Sequence, residues 1–299
     1  QTARPAVGYG ENRDAIATGR PILRPVLDSP PAVAVVEDFL SATAPADDCS
    51  PDNTTMTQDN DPRESVLETI GETPLVELHA SPADVPVYAK LETFNPGGSV
   101  KDRIGKYILE QLLERGDLPP GGTVVEPTAG NTGIGMAIAA QQLGLDAVFV
   151  VPRGFSEEKE QLMAALGAEI VNTPEDDGMD GAIVRAEEIA QEDDEAVVPQ
   201  QFSTELNPDA HYQTTGPEIL DALDGEVGAV GIARAVREEV PDAHVLAVEP
   251  EGSTYGELFD RDREEGPYKT EGIGTHDPDV TDVLDTDLVD DIRAIPDRD

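Results

Sequence analysis

The chain has 299 residues, of which 62 are Asp or Glu and 20 are Lys or Arg, so its formal net charge is −42. A surface this acidic repels nucleic acid and anionic membranes at ordinary salt, and no apolar run is long enough to cross a bilayer. We therefore expect a two-domain protein with a sizeable core whose partners include neither nucleic acid nor a membrane.

Residues 1–63 differ in composition from the rest of the chain. Prolines and acidic residues, as in Pro30-Pro31 and Asp47-Asp48, alternate there with short apolar stretches, which predicts a disordered leader. The leader is a poor secretory signal. Cys49 is the only cysteine and cannot form an intrachain disulfide, so a reducing cytoplasm fits the chain. Because Met56 stands just before the regular pattern that begins at Glu64, we hypothesise that it is the natural start.

Strand and helix patterns alternate after the leader. Residues 75–78 and 85–91 predict a strand pair, and further strands are predicted at 123–126, 147–151, 169–171, 197–198, 227–230 and 245–248. Strands separated by helices favour parallel sheets with right-handed crossovers, and hence an α/β fold.

The first motif of chemical interest is residues 95–103, NPGGSVKDR. Pro96, Gly97 and Gly98 break the chain just before an apolar pattern with helical spacing, which places Lys101 in the first turn of a helix. Burial, and to a smaller degree the positive end of a helix, favours a neutral amine, and a neutral lysine amine is a nucleophile. An isolated Lys-Asp-Arg, by contrast, is usually solvated.

Two further segments are candidate binding elements. Residues 128–133, TAGNTG, follow a predicted strand and precede a helical segment at 134–143, an arrangement whose N–H groups favour an anion; the alternative is a plain helix cap with a tight turn. Gln201 can donate two N–H groups to a carboxylate, or it is only a polar residue that ends a strand.

Together, residues 95–103 and 128–133 resemble the cysteine synthase and cystathionine β-synthase family, which are fold-type II pyridoxal phosphate enzymes that catalyse β-replacement. Further matches lie at 156–171 and 178–183, another strong one lies at 200–218, and a weak one lies at 271–274. The resemblance implies a tryptophan synthase β-like α/β fold with the cofactor in the cleft between two domains. It also implies a larger domain formed by 64–92 and 204–299, a smaller mobile domain at 93–203, and a homodimer.

The resemblance also implies roles for individual residues. Lys101 would hold pyridoxal 5′-phosphate as a Schiff base and act as the catalytic base, while Asn131 and Gly272 would contact the cofactor. The substrate carboxylate would be bound by Thr128, Ala129, Gly130, Asn131, Thr132 and Gln201. Many family members carry serine where this chain has Ala129, so one hydroxyl contact is missing. No metal site is expected, because the four histidines lack the spacing of metal ligands.

The implied reaction makes L-cysteine from O-acetylserine, or a related activated serine, and sulfide through an aminoacrylate intermediate. Cystathionine β-synthase, with homocysteine as the thiol, and serine or threonine deaminase are alternatives on the same fold. Two departures from the family favour a catalytically inactive remnant or a binding protein instead. Val230 runs directly into a helical pattern where the family has a phosphate-binding glycine loop, and the sequence stops at Asp299 before the family's last helix and strands.

The charge pattern generates a prediction about salt. The chain has only five lysines, and its acidic residues are spread through every segment, which is typical of a halophilic protein. Molar salt shortens the electrostatic screening length to about 3 Å and so removes most self-repulsion. We expect the helical circular dichroism signal to be weak in dilute buffer and to be restored in molar potassium chloride. Full helicity in dilute buffer would contradict this prediction.

Overall fold

The computed structural model describes residues 32–36, 62–79, 86–201, 203–224, 229–230, 233–259, 266 and 286–295. The strands among these residues are β1 (Ala32–Val36), β2 (Leu75–Glu77), β3 (Val87–Leu91), β4 (Thr123–Pro127), β5 (Asp146–Pro152), β6 (Glu169–Thr173), β7 (Ala196–Val197), β8 (Ala229–Val230), β9 (His244–Pro250) and β10 (Asp291–Ile295). The α-helices are α1 (Lys101–Arg115), α2 (Asn131–Leu143), α3 (Glu157–Ala165), α4 (Gly178–Glu192), α5 (Leu206–Gln213), α6 (Thr215–Ala222) and α7 (Ala233–Glu239). None of these described helices combines the length and apolar character that a bilayer crossing requires.

The strands form two sheets, which confirms the predicted α/β class. The larger sheet has the order β10-β9-β8-β1-β3-β2, and every pairing in it is parallel except the antiparallel β2–β3 pair. The smaller sheet has the order β6-β5-β4-β7 and is parallel throughout. The strand pair predicted at 75–78 and 85–91 is therefore confirmed as β2 and β3.

The order of the smaller sheet creates a crevice at its carboxyl edge. From β4 the chain passes through α2, β5 and α3 to β6, moving outward on one side, and α4 then returns it to β7 on the other side of β4. Because the strand order reverses between β4 and β7, the carboxyl ends of these two neighbouring strands border a topological switch point, where open α/β sheets have a crevice. Ligands of open α/β sheets bind in such crevices.

Both faces of the smaller sheet are buried. Val124 of β4 packs in one core cluster with Ile104 of α1 and Met136 of α2. Its neighbour Val125 belongs to a second cluster, with Ala182 of α4. Successive side chains of a strand point to opposite faces, so α1 and α2 cover one side and α4 covers the other, as expected for a parallel sheet.

Local signals set the ends of the helices next to the site. Helix α1 begins directly after the glycine-rich break and ends at Gly116, whose φ of 77° suits glycine and whose N–H bonds the carbonyls of Leu112 and Leu113. Helix α3 is capped by Ser156, which accepts a hydrogen bond from the N–H of Lys159. The helix predicted to begin near Lys101 is therefore confirmed.

Helices α1 and α2 approach each other backbone to backbone. A Cβ atom at Gly105 would lie 2.5 Å from the carbonyl carbon of Gly135, and one at Gly135 would lie 2.6 Å from the carbonyl oxygen of Lys101. Atoms do not pack at such distances, so both positions need glycine. The contact places the first turn of α1, with Lys101, against the second turn of α2.

The leader predicted for residues 1–63 contains strand β1. This strand pairs in parallel with β3, where Ala32 is the register partner of Val87, and with β8, where Ala32 is the partner of Ala229. The prediction of disorder fails for these five residues, because a short valine-rich run suits a strand whatever the composition around it. Met56 and most of the leader lie outside the described residues.

Substitution of Gly135 tests the helix contact. Gly135→Ala should lower the free energy of unfolding by about 1–3 kcal/mol, because the new methyl group meets rigid backbone; in an open helix the same change would stabilise. The control is Gly130→Ala, where nothing lies within 4 Å of the added Cβ, and a change below about 1 kcal/mol is expected. Denaturant unfolding of both variants measures this, and equal effects would argue against the contact.

Candidate functional site

Lys101 is the first residue of α1 and is half-buried. Its backbone N–H donates a hydrogen bond to the hydroxyl of Ser99 at 3.1 Å. The predicted location of this lysine in the first turn of a helix is confirmed. Through the glycine contact, its backbone also lies against α2, the helix that follows the second predicted loop.

That second loop joins β4 to α2. The N–H of Thr128 donates to the carbonyl of Val150 at 3.1 Å, which ties the loop to β5. Helix α2 has Gly130 as its N-cap, with no side-chain capping bond and no acidic residue in its first turn. Thr128, Ala129 and Thr132 are buried, and Asn131 is half-buried. A helix start that carries no carboxylate of its own favours an external anion.

Gln201 lies in a turn beyond the end of β7 and is only 6% exposed. The carboxylate of Glu126, on β4, accepts the backbone N–H groups of Gln200 at 3.1 Å and Gln201 at 3.0 Å. The Gln201 side chain also lies close enough to this carboxylate to act against the rise in its pKa. The structure thus brings Gln201 to the carboxyl end of β4, where the loop of residues 128–133 begins.

The other predicted elements of the site are not brought together in the described residues. Gly272 lies outside them. Strand β8 ends at Val230 and α7 begins at Ala233, so two residues join them. The absence of a phosphate-binding loop stays a prediction, as do the roles assigned to the individual site residues.

A buried ion network beside Lys101 was missed by the sequence analysis. The guanidinium of Arg103 donates to both carboxylate oxygens of Glu92, at 2.6 and 2.8 Å, and to both oxygens of Glu218, at 2.7 and 2.8 Å. Arg103 and Glu92 are almost completely buried. Two forked pairs on one arginine fix the geometry as well as the charge. Nothing in the local sequence pairs these residues, because Glu218 is 115 positions away.

Lys90 completes the network. Its Nζ atom lies 2.6 Å from Oε2 of Glu218 and donates to the carbonyl of Thr73 at 2.6 Å. Two cations thus balance two carboxylates. Burial by itself would raise the pKa of Glu218, but hydrogen bonds from Arg103 and Lys90 outweigh it and lower the pKa to about 2. The network joins β3, the first turn of α1 and helix α6.

Two more titratable groups lie close to Lys101. Burial raises the pKa of Asp102 to about 6; its Oδ2 accepts the N–H of Gly97 at 2.5 Å, while its buried Oδ1 has no hydrogen-bond partner among the described residues. Burial, together with the positive charges of Lys101 and Arg103, lowers the pKa of His211 to about 4. His211 is therefore neutral at physiological pH, with Nδ1 3.1 Å from the hydroxyl of Thr215.

Comparison with known proteins supplies a family. A family model described as "Pyridoxal-phosphate dependent enzyme" matches residues 66–299. The O-acetylserine dependent cystathionine beta-synthase of Bacillus subtilis strain 168 is 42% identical over 246 residues, 78% of each chain. The cysteine synthase of Helicobacter pylori strain J99 is 40% identical over 225 residues, 70% of this chain and 72% of the relative. A crystal structure of cysteine synthase from Entamoeba histolytica superimposes with a TM-score of 0.74 at 34% identity, covering 82% of this chain and 76% of that one.

Acid unfolding tests the ion network. The folded pKa of Glu218, about 2, lies below its ordinary 4.5, so its stabilisation is present above pH 4.5 and is lost as the pH falls toward 2. The loss amounts to up to about 3 kcal/mol, at about 1.4 kcal/mol for each pKa unit. Glu218→Gln should lower neutral stability by about 3–5 kcal/mol, because it leaves buried cations without a partner, and should flatten the acid dependence.

The matched control for this experiment is Glu188→Gln on α4. Glu188 also pairs with an arginine, Arg185, at 2.8 Å, but its side chain is 54% exposed. Such a surface pair contributes less than about 1 kcal/mol. Denaturant unfolding across pH, in salt that maintains the fold, distinguishes the two variants, and a Glu218 variant that behaves like the control would contradict the assigned role.

Proposed function

Since the chain belongs to the pyridoxal-phosphate dependent enzyme family, we propose that it makes L-cysteine from O-acetylserine, or a related activated serine, and sulfide. Relatives named cysteine synthase, 39 to 40% identical to this chain, support the reaction. The observation that carries the proposal is the contact of α1 with α2. It holds Lys101, whose amine is the candidate for reaction with the cofactor aldehyde, beside the loop that is suited to binding a carboxylate.

The described residues fit the aldehyde and the ring of pyridoxal phosphate and the carboxylate of an amino-acid substrate. Lys101 offers an amine for the aldehyde, and Asn131, at the start of α2, offers an amide for the ring hydroxyl. The hydroxyls of Thr128 and Thr132 and the N–H groups of the loop would bind the substrate carboxylate, with an N–H group of Gln201 on the other side of the crevice. When bound, the cofactor supplies an electron sink at the α carbon of the substrate.

The chain's own residues would perform the remaining steps. The amine of Lys101 would take the α proton as general base. The carboxylate-binding residues hold the substrate so that this proton faces the lysine. At the β carbon the bond to the acetate oxygen breaks and a bond to sulfur forms, so acetate leaves, cysteine is produced and no oxidant is needed.

A second candidate is the synthesis of cystathionine from O-acetylserine and homocysteine. It is favoured by the relative from Bacillus subtilis, whose name states this activity. The two reactions use the same amino-acid substrate and differ only in the thiol that adds to the β carbon. The site residues on the carboxylate side therefore do not separate them.

We further propose the domain division that the resemblance implies, with a smaller domain at 93–203 and a larger one formed by 64–92 and 204–299. The division of the strands supports it, because β4 to β7 form one sheet and β2, β3 and β8 to β10 belong to the other. A cytoplasmic homodimer that uses sulfide or a thiol as second substrate is part of the same proposal, and it rests on the family likeness.

Labelling of Lys101 tests the cofactor assignment. Borohydride reduction of protein loaded with pyridoxal phosphate, followed by peptide mapping, should place a pyridoxyl group on Lys101. The Lys101→Ala variant should lose the label and the visible absorption. Its rate of cysteine formation should fall by about 10²–10⁴-fold or more, because the substitution removes both the general base and the amine that binds the cofactor. The control is Lys106→Ala on the same helix, where Nζ donates to the carbonyl of Leu67 at 3.1 Å.

Absence of the label, or a label on another lysine, would refute the assignment, and a protein that remains colourless with added cofactor would support the inactive alternative. Product analysis then distinguishes the two reactions. Wild-type protein given O-acetylserine with sulfide or with homocysteine should form cysteine at the higher kcat/KM. A higher value for cystathionine would favour the second candidate.

A further inference from the structure

Glu126 is a buried carboxyl group that has no cationic partner among the described residues. It stands in β4 between buried apolar neighbours and is 0% exposed. It accepts hydrogen bonds from the backbone N–H groups of Gln200 and Gln201, and the side chain of Gln201 lies close to it. Within the part of the chain that the structure describes, no lysine or arginine pairs with it. Burial raises its pKa to about 7 against the opposing effect of these hydrogen bonds.

Such a group is costly to the fold. Removing a carboxylate from water without a counter-ion is unfavourable, and N–H donors offset only part of this cost. By contrast, the two carboxylates beside Arg103 are balanced by two cations. A buried carboxyl group without a cation among the described residues therefore indicates a task that an apolar side chain could not perform.

One part of that task is to hold a strained turn. Gln200 has a φ of 57°, in the left-handed region that residues other than glycine rarely adopt because it is sterically strained. The Gln200 carbonyl accepts the N–H groups of Ser203 at 2.9 Å and Thr204 at 3.0 Å, and the Gln201 carbonyl accepts Nδ2 of Asn207 at 2.9 Å. These bonds engage the carbonyls of the turn, while both N–H groups of the turn donate to Glu126.

The second part of the task concerns the Gln201 amide. When Glu126 is ionised, its carboxylate only accepts hydrogen bonds, and the nitrogen of this amide rather than its oxygen then faces it. The second hydrogen on the same nitrogen is then available to another acceptor. If a neutral amide replaced Glu126, the Gln201 side chain could turn over and present its oxygen, which repels an anion.

The location of Glu126 in the smaller sheet also supports a role at the site. Glu126 lies in β4, two residues before Thr128, and the Gln200–Gln201 turn follows β7, on the other side of the switch point of the smaller sheet. One carboxylate thus links the two segments that border the crevice. The distance between the loop of residues 128–133 and Gln201 is set by this link.

We propose that Glu126 is a positioning residue, which fixes the Gln200–Gln201 turn and orients the Gln201 amide so that the carboxylate of the amino-acid substrate meets an N–H donor. This inference rests on the proposed function, because it assigns the substrate carboxylate to Gln201. Glu126 itself touches neither substrate nor cofactor in this assignment. It acts through Gln201.

The test compares ligands with and without a carboxylate, on protein loaded with pyridoxal phosphate. L-Alanine, which has no leaving group, and ethanolamine, which has no carboxylate, are titrated by the change in cofactor absorbance. Glu126→Gln should weaken the binding of L-alanine by about tenfold, equivalent to about 1.4 kcal/mol. The affinity for ethanolamine should stay within about twofold of the wild-type value. The KM for O-acetylserine should rise by a similar factor, with kcat changed much less. Glu110→Gln, at a half-buried glutamate of α1, is the control and should change neither ligand.

A double-mutant cycle distinguishes orientation from general damage. In a Gln201→Ala background the amide is absent, so Glu126→Gln should weaken L-alanine by less than about twofold. The proposal is overturned if Glu126→Gln weakens the binding of L-alanine in this background as much as it does in the wild-type background. It is also overturned if the substitution weakens the binding of both ligands equally in the wild-type background, because Glu126 would then have only a role in the fold.

A folding defect is handled by a second variant. If Glu126→Gln does not fold, Gln200→Gly is added, because glycine adopts the left-handed conformation without strain and relieves the turn. The folded double variant should still bind L-alanine about tenfold more weakly than Gln200→Gly alone, and equal affinity would overturn the proposal. If wild-type protein carries the label on Lys101 but binds L-alanine no more tightly than the Glu126→Gln variant, only this inference is refuted. Wild-type protein that binds neither cofactor nor L-alanine refutes the proposed function together with it.

Discussion

The arrangement of the site depends on the backbone contact between α1 and α2. Because Gly105 and Gly135 carry no side chains, the helices meet at a distance that no other residues would allow. That contact fixes the start of α1, with Lys101, relative to the start of α2, with the loop of residues 128–133. Local sequence signals specify each segment, but only the contact between the helices brings the two segments into one site.

Buried charge appears in two contrasting forms around this contact. At Arg103, two carboxylates and two cations neutralise each other with forked geometry, and the result is a rigid joint between β3, α1 and α6. At Glu126, a single carboxyl group is held by the backbone N–H groups of Gln200 and Gln201, and no cation among the described residues pairs with it. The first arrangement lowers the pKa of Glu218 to about 2, and the second leaves that of Glu126 raised to about 7. The network around Arg103 joins β3, α1 and α6 rigidly, whereas Glu126 borders the crevice of the smaller sheet.

Much of the fold could be read from the chain because its signals are local. Alternating strand and helix patterns predict the α/β class, and the break at Pro96–Gly98 predicts the start of α1 at Lys101. Strand β1 could not be read in this way, because Ala32–Val36 is a short valine-rich run surrounded by a composition typical of disorder. Its place between β8 and β3 depends on pairing with residues that are distant in sequence.

For the site, the sequence by itself determined which side chains carry chemistry: a lysine at a helix start, a glycine turn before a helix, and a glutamine after a strand. Only the tertiary structure decided how these are held. Arg103 and Glu218 are 115 positions apart, and Glu126 and Gln201 are 75 positions apart, so no local pattern links the members of either pair. The physical reason is that helix and turn signals act over a few residues, whereas ion pairs and buried hydrogen bonds form wherever folding brings their partners together.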